Sequence, residues 1–151
     1  MLTTLLLFTS VLLHELGHAL MALREGVKVV SITLFHLGGI ARVEKECPTA
    51  MGNLRIAAAG PLVSLTLALG MLLAAASLAT QQPQLTVLLT QVGLLNLMLG
   101  LFNLLPGLPL DGGLILKSLV WQASGSKKRG VEVASASGRL LATLMIVMGG
   151  V

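Results

Sequence analysis

The stretch HELGH, residues 14–18, sets two imidazoles and a carboxylate within one turn of chain. In a helix, His14 and His18 stand one turn apart on the same face, so both rings can reach a single ion. Glu15 projects about a quarter-turn away, close enough to hold a metal-bound water without displacing it. This is the HExxH arrangement, in which a zinc ion acidifies water and the glutamate takes its proton. The chemistry on offer is hydrolysis. Gly17 leaves room on the helix surface for a neighbour or a substrate.

The surroundings are unusual for such chemistry. The motif lies within an apolar run from about Leu2 to Leu23. No basic region precedes that run and no small-residue cleavage site follows it, so it reads as a retained membrane helix, not a signal peptide. In lipid each ionisable group costs about 2.5–3.5 kcal/mol on insertion scales. The plain alternative is that the three side chains simply pack inside a helix bundle. That cost weighs against it, because a bound metal would compensate the buried polar groups.

A catalytic zinc usually takes three protein ligands and keeps one position open. His36 and Asp111 are the candidates for the third. His36 falls in an expected hairpin, where a lone histidine is more often a strand or interface residue. Asp111 falls in LPLDGG, flanked by Pro106 and Pro109, which keep it out of regular helix. Non-helical backbone at membrane depth is tolerated where it is buried in protein or lines a wet cavity. Asp111 therefore reads as a ligand on the cost of a carboxylate at depth, with a helix N-cap, which can hold at the same time, as the plain alternative.

The elements that must carry these residues follow from the apolar pattern. Hydrophobic residues make up 55% of the 151-residue chain and charged residues 11%, with a mean hydropathy of +0.93. A soluble domain is about 25% charged. This chain could not cover its surface in water, and a lipid bilayer is its expected partner. Nucleic acid is excluded despite the net charge of +4, because the basic residues lie between apolar runs and Trp121 is the only large base-stacking ring beside Phe. Cys47, alone, can form no intrachain disulfide.

Helices are expected at about 2–24, 53–79, 85–105 and 131–151, with a short one at 110–122. A span needs about 20 residues; the last run meets the chain end while still apolar and reads as cut short. Residues 28–46 alternate loosely around Gly38 and Gly39, which predicts a β-hairpin. The fold class is thus an all-α polytopic membrane protein, a helix bundle with a small membrane-associated hairpin and a broken or re-entrant Pro/Gly segment. SGSKKRG reads as a solvated loop, Gly60 and Ser64 as a close-packing small-xxx-small face, and Gln91 and Asn96 as interhelical hydrogen bonders.

The segments 24–55 and 117–129 hold nearly every Lys and Arg, and 80–84 holds none. The positive-inside rule makes the basic side cytoplasmic. His14 precedes Arg24 by ten residues and so lies roughly 15 Å from that boundary. Asp111 precedes the basic 117–129 stretch by a comparable distance. The two motifs are expected at similar depth.

HELGHAL, LGGIARVE, AAAGPLVS and NLLPGLPLDGG, in this order, resemble the site-2 protease family of intramembrane zinc metalloproteases, in its compact bacterial and archaeal branch. The similarity extends over nearly the whole chain. It implies one zinc ion held by His14, His18 and Asp111, with Glu15 as general base. Asn103 would sit beside the metal and help hold the substrate carbonyl, where the sequence alone reads equally as a polar residue pairing between helices. Leu37–Val43 would lie near the active site as an edge able to pair with an unwound substrate. The chain departs from the family at Ser64, where Asn is frequent, and at His36, where Pro is frequent. It also begins at the zinc helix and ends within a helix, which implies that residues 1–151 form a trimmed protease core.

The resulting expectation is a zinc endopeptidase cleaving peptide bonds within or near transmembrane segments of membrane-protein substrates, with a cleft open to the cytoplasm. The rivals are a membrane metal transporter using the same ligands and an inactive scaffold that binds transmembrane helices. Self-association into a homo-oligomer is left open by the sequence.

Overall fold

The computed structural model describes residues 2–27, 29–35, 38–43 and 46–149. Its order is α1 (Leu2–Arg24), β1 (Val29–Phe35), β2 (Gly38–Val43), α2 (Ala50–Leu78), α3 (Pro83–Asn103), α4 (Asp111–Ser124) and α5 (Lys127–Gly149). Of the five helices, α1, α2, α3 and α5 are long and apolar enough to cross a membrane. β1 and β2 pair antiparallel, with Ile32 opposite Ala41 and Phe35 opposite Gly38, and an irregularity between Val29 and Ser31. His36 and Leu37 lie outside the described residues.

Local chemistry sets the boundaries. The Thr49 hydroxyl accepts from the Gly52 N–H and caps α2, which therefore begins three residues before the apolar run predicts. Pro83 starts α3, where its missing N–H costs nothing. Gly125, at φ +68°, ends α4 in the left-handed conformation and returns its N–H to the Trp121 carbonyl. The Ser126 hydroxyl then accepts from the Arg129 N–H at 3.4 Å, so α5 begins at Lys127. Lys127–Gly130, expected as solvated loop, is the first turn of that helix, and α5 thereby gains the length of a full span.

α2 is the hub, packed against α1, α3 and α4, with α5 laid against α4. Its buried positions are mostly small: Ala57, Ala59, Gly60, Ser64, Ala68 and Ala75. Large apolar side chains such as Leu5, Leu69, Met98 and Ile146 face outward. This inversion suits a lipid environment, where helices associate through close backbone approach and not by hiding leucine from water. Gly17 illustrates it: a Cβ there would meet Val63 Cγ2 at 2.9 Å, so the space beside it belongs to α2 and not to a substrate.

Candidate metal centre

His14 and His18 lie on the α1 face turned toward α2, their rings edge-to-face with centroids 4.9 Å apart. Asp111 reaches them from the far side of the molecule, 97 residues on from His14. Its Oδ2 stands 3.1 Å from His14 Nε2 and its Oδ1 3.3 Å from His18 Nε2. One ligand atom from each residue fits within 4.8 Å of the others, a group able to hold one metal ion.

Glycine permits each approach. At Gly60 a Cβ would lie 2.2 Å from His18 Nε2 and 2.7 Å from His14 Nε2. At Gly112 it would lie 2.3 Å from the Leu104 carbonyl oxygen, and at Gly113 2.3 Å from the Gly107 carbonyl carbon. The first turn of α4 thus packs directly on the bend at 104–108. From the other side the Ser137 hydroxyl donates to the Pro106 carbonyl, and the Leu108 N–H donates to the Ala134 carbonyl. Asp111 itself occupies the first helical position, while Leu110 holds the N-cap and makes no side-chain cap. The N-cap alternative for Asp111 therefore falls, and so does the expectation that the prolines keep it out of regular helix, since both precede the first turn of α4 and leave it undisturbed. Its carboxylate is aimed at the imidazoles and also gains from the positive helix end.

The partners of the outer ring nitrogens define what the inner ones offer. His18 Nδ1 lies 2.7 Å from the Ile56 carbonyl oxygen, which can only accept, so Nδ1 carries the proton. A neutral His18 then presents a bare Nε2 lone pair, 3.3 Å from both Asp111 Oδ1 and His14 Nε2. His14 Nδ1 lies 2.9 Å from Ser64 Oγ. A proton shared between His14 Nε2 and Asp111 Oδ2, or a cation among all three side chains, relieves the repulsion of lone pairs and carboxylate at such distances. Two imidazoles and one carboxylate, each imidazole braced at its second nitrogen, match the donor set and outer support of a zinc site. The residues fit the ion.

Glu15 is buried, 6% exposed. It lines a cavity of about 570 Å3 together with His14, His18, Asp111 and Asn103. Asn103 ends α3 and donates its side-chain amide to the Leu99 carbonyl at 3.0 Å. The same cavity includes Cys47, Glu46 and Lys117.

Sequence reasoning passed over three of these. Ser64, read as a packing residue, touches the first histidine. Its place one turn after Gly60 on a face already marked as close-packing was the available signal. Lys117, read only as part of the basic 117–129 stretch, is bonded at 2.9 Å to Glu46, on which the sequence reading is silent. A lysine inside the apolar piece 114–121 was a signal for a buried pair.

Comparison with known proteins agrees with this geometry. The family model described as peptidase family M50 matches residues 2–85 and 73–148. "Putative zinc metalloprotease sll0528" of Synechocystis is 47% identical over 99% of this chain and 39% of its own length. Zinc metalloprotease MJ0392 of Methanocaldococcus jannaschii is 41% identical over 96% of this chain and 42% of its own. The solved site-2 protease from Methanocaldococcus jannaschii superposes with a TM-score of 0.76 at 40% identity, covering 96% of this chain and 65% of that one. The chain spans about two-fifths of the length of these curated relatives. It belongs to the M50, site-2 protease family of zinc metalloproteases, as an integral-membrane homologue.

Proposed function

We propose that this site-2 protease homologue is the core of an intramembrane zinc endopeptidase, acting on peptide bonds within or near transmembrane segments of other membrane proteins. The supporting observation is the convergence of His14, His18 and Asp111, from helices far apart in sequence, on one group of ligand atoms within 4.8 Å. Residues 1–151 form the membrane-embedded catalytic core in this reading.

His14, His18 and Asp111 hold the ion. Zinc, when bound, supplies a Lewis acid that polarises a carbonyl and lowers the pKa of water toward about 7. Glu15 takes the proton from the attacking water and delivers it to the departing amine, a role suited to a carboxylate that is buried beside the ligands. Asn103 lines the cavity and orients the substrate carbonyl. The cavity admits water and a short extended segment, since an intact helix shields its own carbonyls. β1 and β2 form a two-stranded sheet against α1, and an outer strand edge is available to hold such a segment. The hairpin then lies at the membrane surface, and the 104–110 bend is the broken segment, packed on α4 and α5 at Gly107 and Leu108 while Leu104, Pro106 and Pro109 stay exposed. Lys127, Lys128 and Arg129 open α5 just after α4 ends, and Lys117 of mid-α4 shares Glu46 with Lys127, which orients the cleft toward the cytoplasm.

The test pairs purified protein in detergent with a single-span membrane substrate. Wild type should carry stoichiometric zinc and cleave, with cleavage abolished by chelator. Glu15→Gln should keep the zinc and lose cleavage by a factor of about 100 or more. Zinc without cleavage in either protein, together with metal flux in both, would identify a transporter; absence of stoichiometric zinc would identify a scaffold.

A further inference from the structure

We infer that Ser64 is a positioning residue for the metal centre, holding His14 so that its Nε2 lone pair is presented to the ion. The inference rests on the zinc reading above and concerns how the site is loaded.

The two histidines are braced differently. His18 faces the Ile56 carbonyl, a fixed acceptor, at 2.7 Å. Its tautomer is preset, with the proton on Nδ1 and the lone pair on Nε2. His14 faces a hydroxyl, which can accept or donate, at 2.9 Å. It also has a competing arrangement, because Asp111 Oδ2 lies 3.1 Å from its Nε2 and would accept a proton placed there. In that arrangement His14 and Asp111 satisfy each other, and His14 Nε2 has no lone pair free to bind metal. Loading requires the His14 proton to stand on Nδ1, where Ser64 Oγ is the acceptor at hand. His14 is 3% exposed and Ser64 0%, so water cannot readily substitute.

Ser64 also follows Gly60 by one turn on α2. Gly60 abuts the Nε2 edge of both rings, and Ser64 touches the Nδ1 edge of one. A single face of α2 thus fixes the His14 ring at both nitrogens. Removing the hydroxyl leaves the Nδ1–H with no acceptor and shifts His14 toward the Asp111-bonded form.

The full chain is purified, stripped with chelator and titrated with zinc against a competing chromophoric chelator. Ser64→Ala and the near-isosteric Ser64→Cys should raise the zinc Kd by about 10–100-fold. Ser64→Asn, whose amide oxygen can accept the same proton, should restore most of the affinity. Nitrogen-15 NMR of labelled histidine should show His18 protonated on Nδ1 with or without zinc. For His14, the Nδ1-protonated form should become dominant on zinc loading in the wild type. A structural role would instead lower the denaturant midpoint of the metal-free variants and leave the zinc Kd alone. Zinc affinity unchanged in both Ser64→Ala and Ser64→Cys, while wild type binds one ion, overturns the inference and leaves the zinc reading standing. Wild type that binds no zinc overturns both.

Discussion

Two clusters of charged side chains border one cavity, and they are built on opposite logic. In the first, Glu46 stands between two ammonium groups, 2.9 Å from Lys117 Nζ and 2.6 Å from Lys127 Nζ. Donors meet an acceptor, and the cluster is complete within the chain. In the second, Asp111 faces two imidazoles whose outer nitrogens are already engaged by Ser64 and Ile56. Two imidazole Nε2 atoms meet a carboxylate, and only a proton or a metal cation can join them. The difference separates a structural ion pair from a metal site better than burial does, since Lys117 is as buried as Glu15.

The sharpest way to break this contrast is at the donor set. Asp111→Ala removes one of the three proposed ligands and should abolish stoichiometric zinc in elemental analysis of purified protein, with an affinity loss greater than the roughly 10–100-fold expected for outer-shell changes. If Asp111→Ala keeps its zinc, the second cluster is no different in kind from the first.

Gly60→Ala comes next. The added methyl would sit 2.2 Å from His18 Nε2, and neither ring can retreat without losing Ile56 or Ser64. Overpacking of this kind costs about 1–3 kcal/mol of stability. Zinc affinity should fall along with the denaturation midpoint. A variant that loses stability and binds zinc normally would show that the ligands can shift as a unit.

The ion-pair cluster should respond asymmetrically. Glu46→Ala leaves the Lys117 ammonium, 5% exposed, without its carboxylate, at a cost of about 1–3 kcal/mol or somewhat more for a charged group. Lys117→Met removes the charge that needs compensation, leaves Glu46 half-exposed and still bonded to Lys127, and should cost less than about 1 kcal/mol. Both variants should retain zinc. Equal destabilisation by the two changes would mean that Lys117 is held by packing of its stem and not by Glu46.

The contrast also explains what could be read before any coordinates. The helical spans and the pairing of His14 with His18 depend on local periodicity, which a single chain displays directly. Beside the family resemblance and its place in LPLDGG, the nearness of Asp111 follows from similar depth below a basic boundary, an argument from charge placement that needs no tertiary detail. What stayed illegible depends on which faces meet. Ser64 and Ala68 look alike as small residues of α2; only the docking of α1 distinguishes one as a partner of His14. Likewise nothing local joins Glu46 to Lys117, 71 residues away. The start of α5 was misread because charge suggested loop, whereas the Ser126 cap sets the helix there.

The smallest expected effect concerns protons at the outer cluster. The Lys127 ammonium, with Lys117 behind it, holds the Glu46 carboxyl below its ordinary value of 4.5. A carboxylate depressed in the folded state contributes stability that is fully present above the unfolded value and is lost as pH falls through the folded one. Wild type should therefore lose stability on acidification below about pH 4.5, and part of that loss should vanish in Glu46→Gln, which has no proton to gain. Because Glu46 is half-exposed and salt screens such pairs, the difference should be a fraction of 1 kcal/mol at most and shrink at high ionic strength. Denaturant titrations of both proteins, metal-free, between pH 3.5 and 7 measure it. Parallel curves would show that the two lysines neutralise Glu46 no better than water does, and the first cluster would then be a surface feature and not a clasp between the 46–49 connection and the α4–α5 pair.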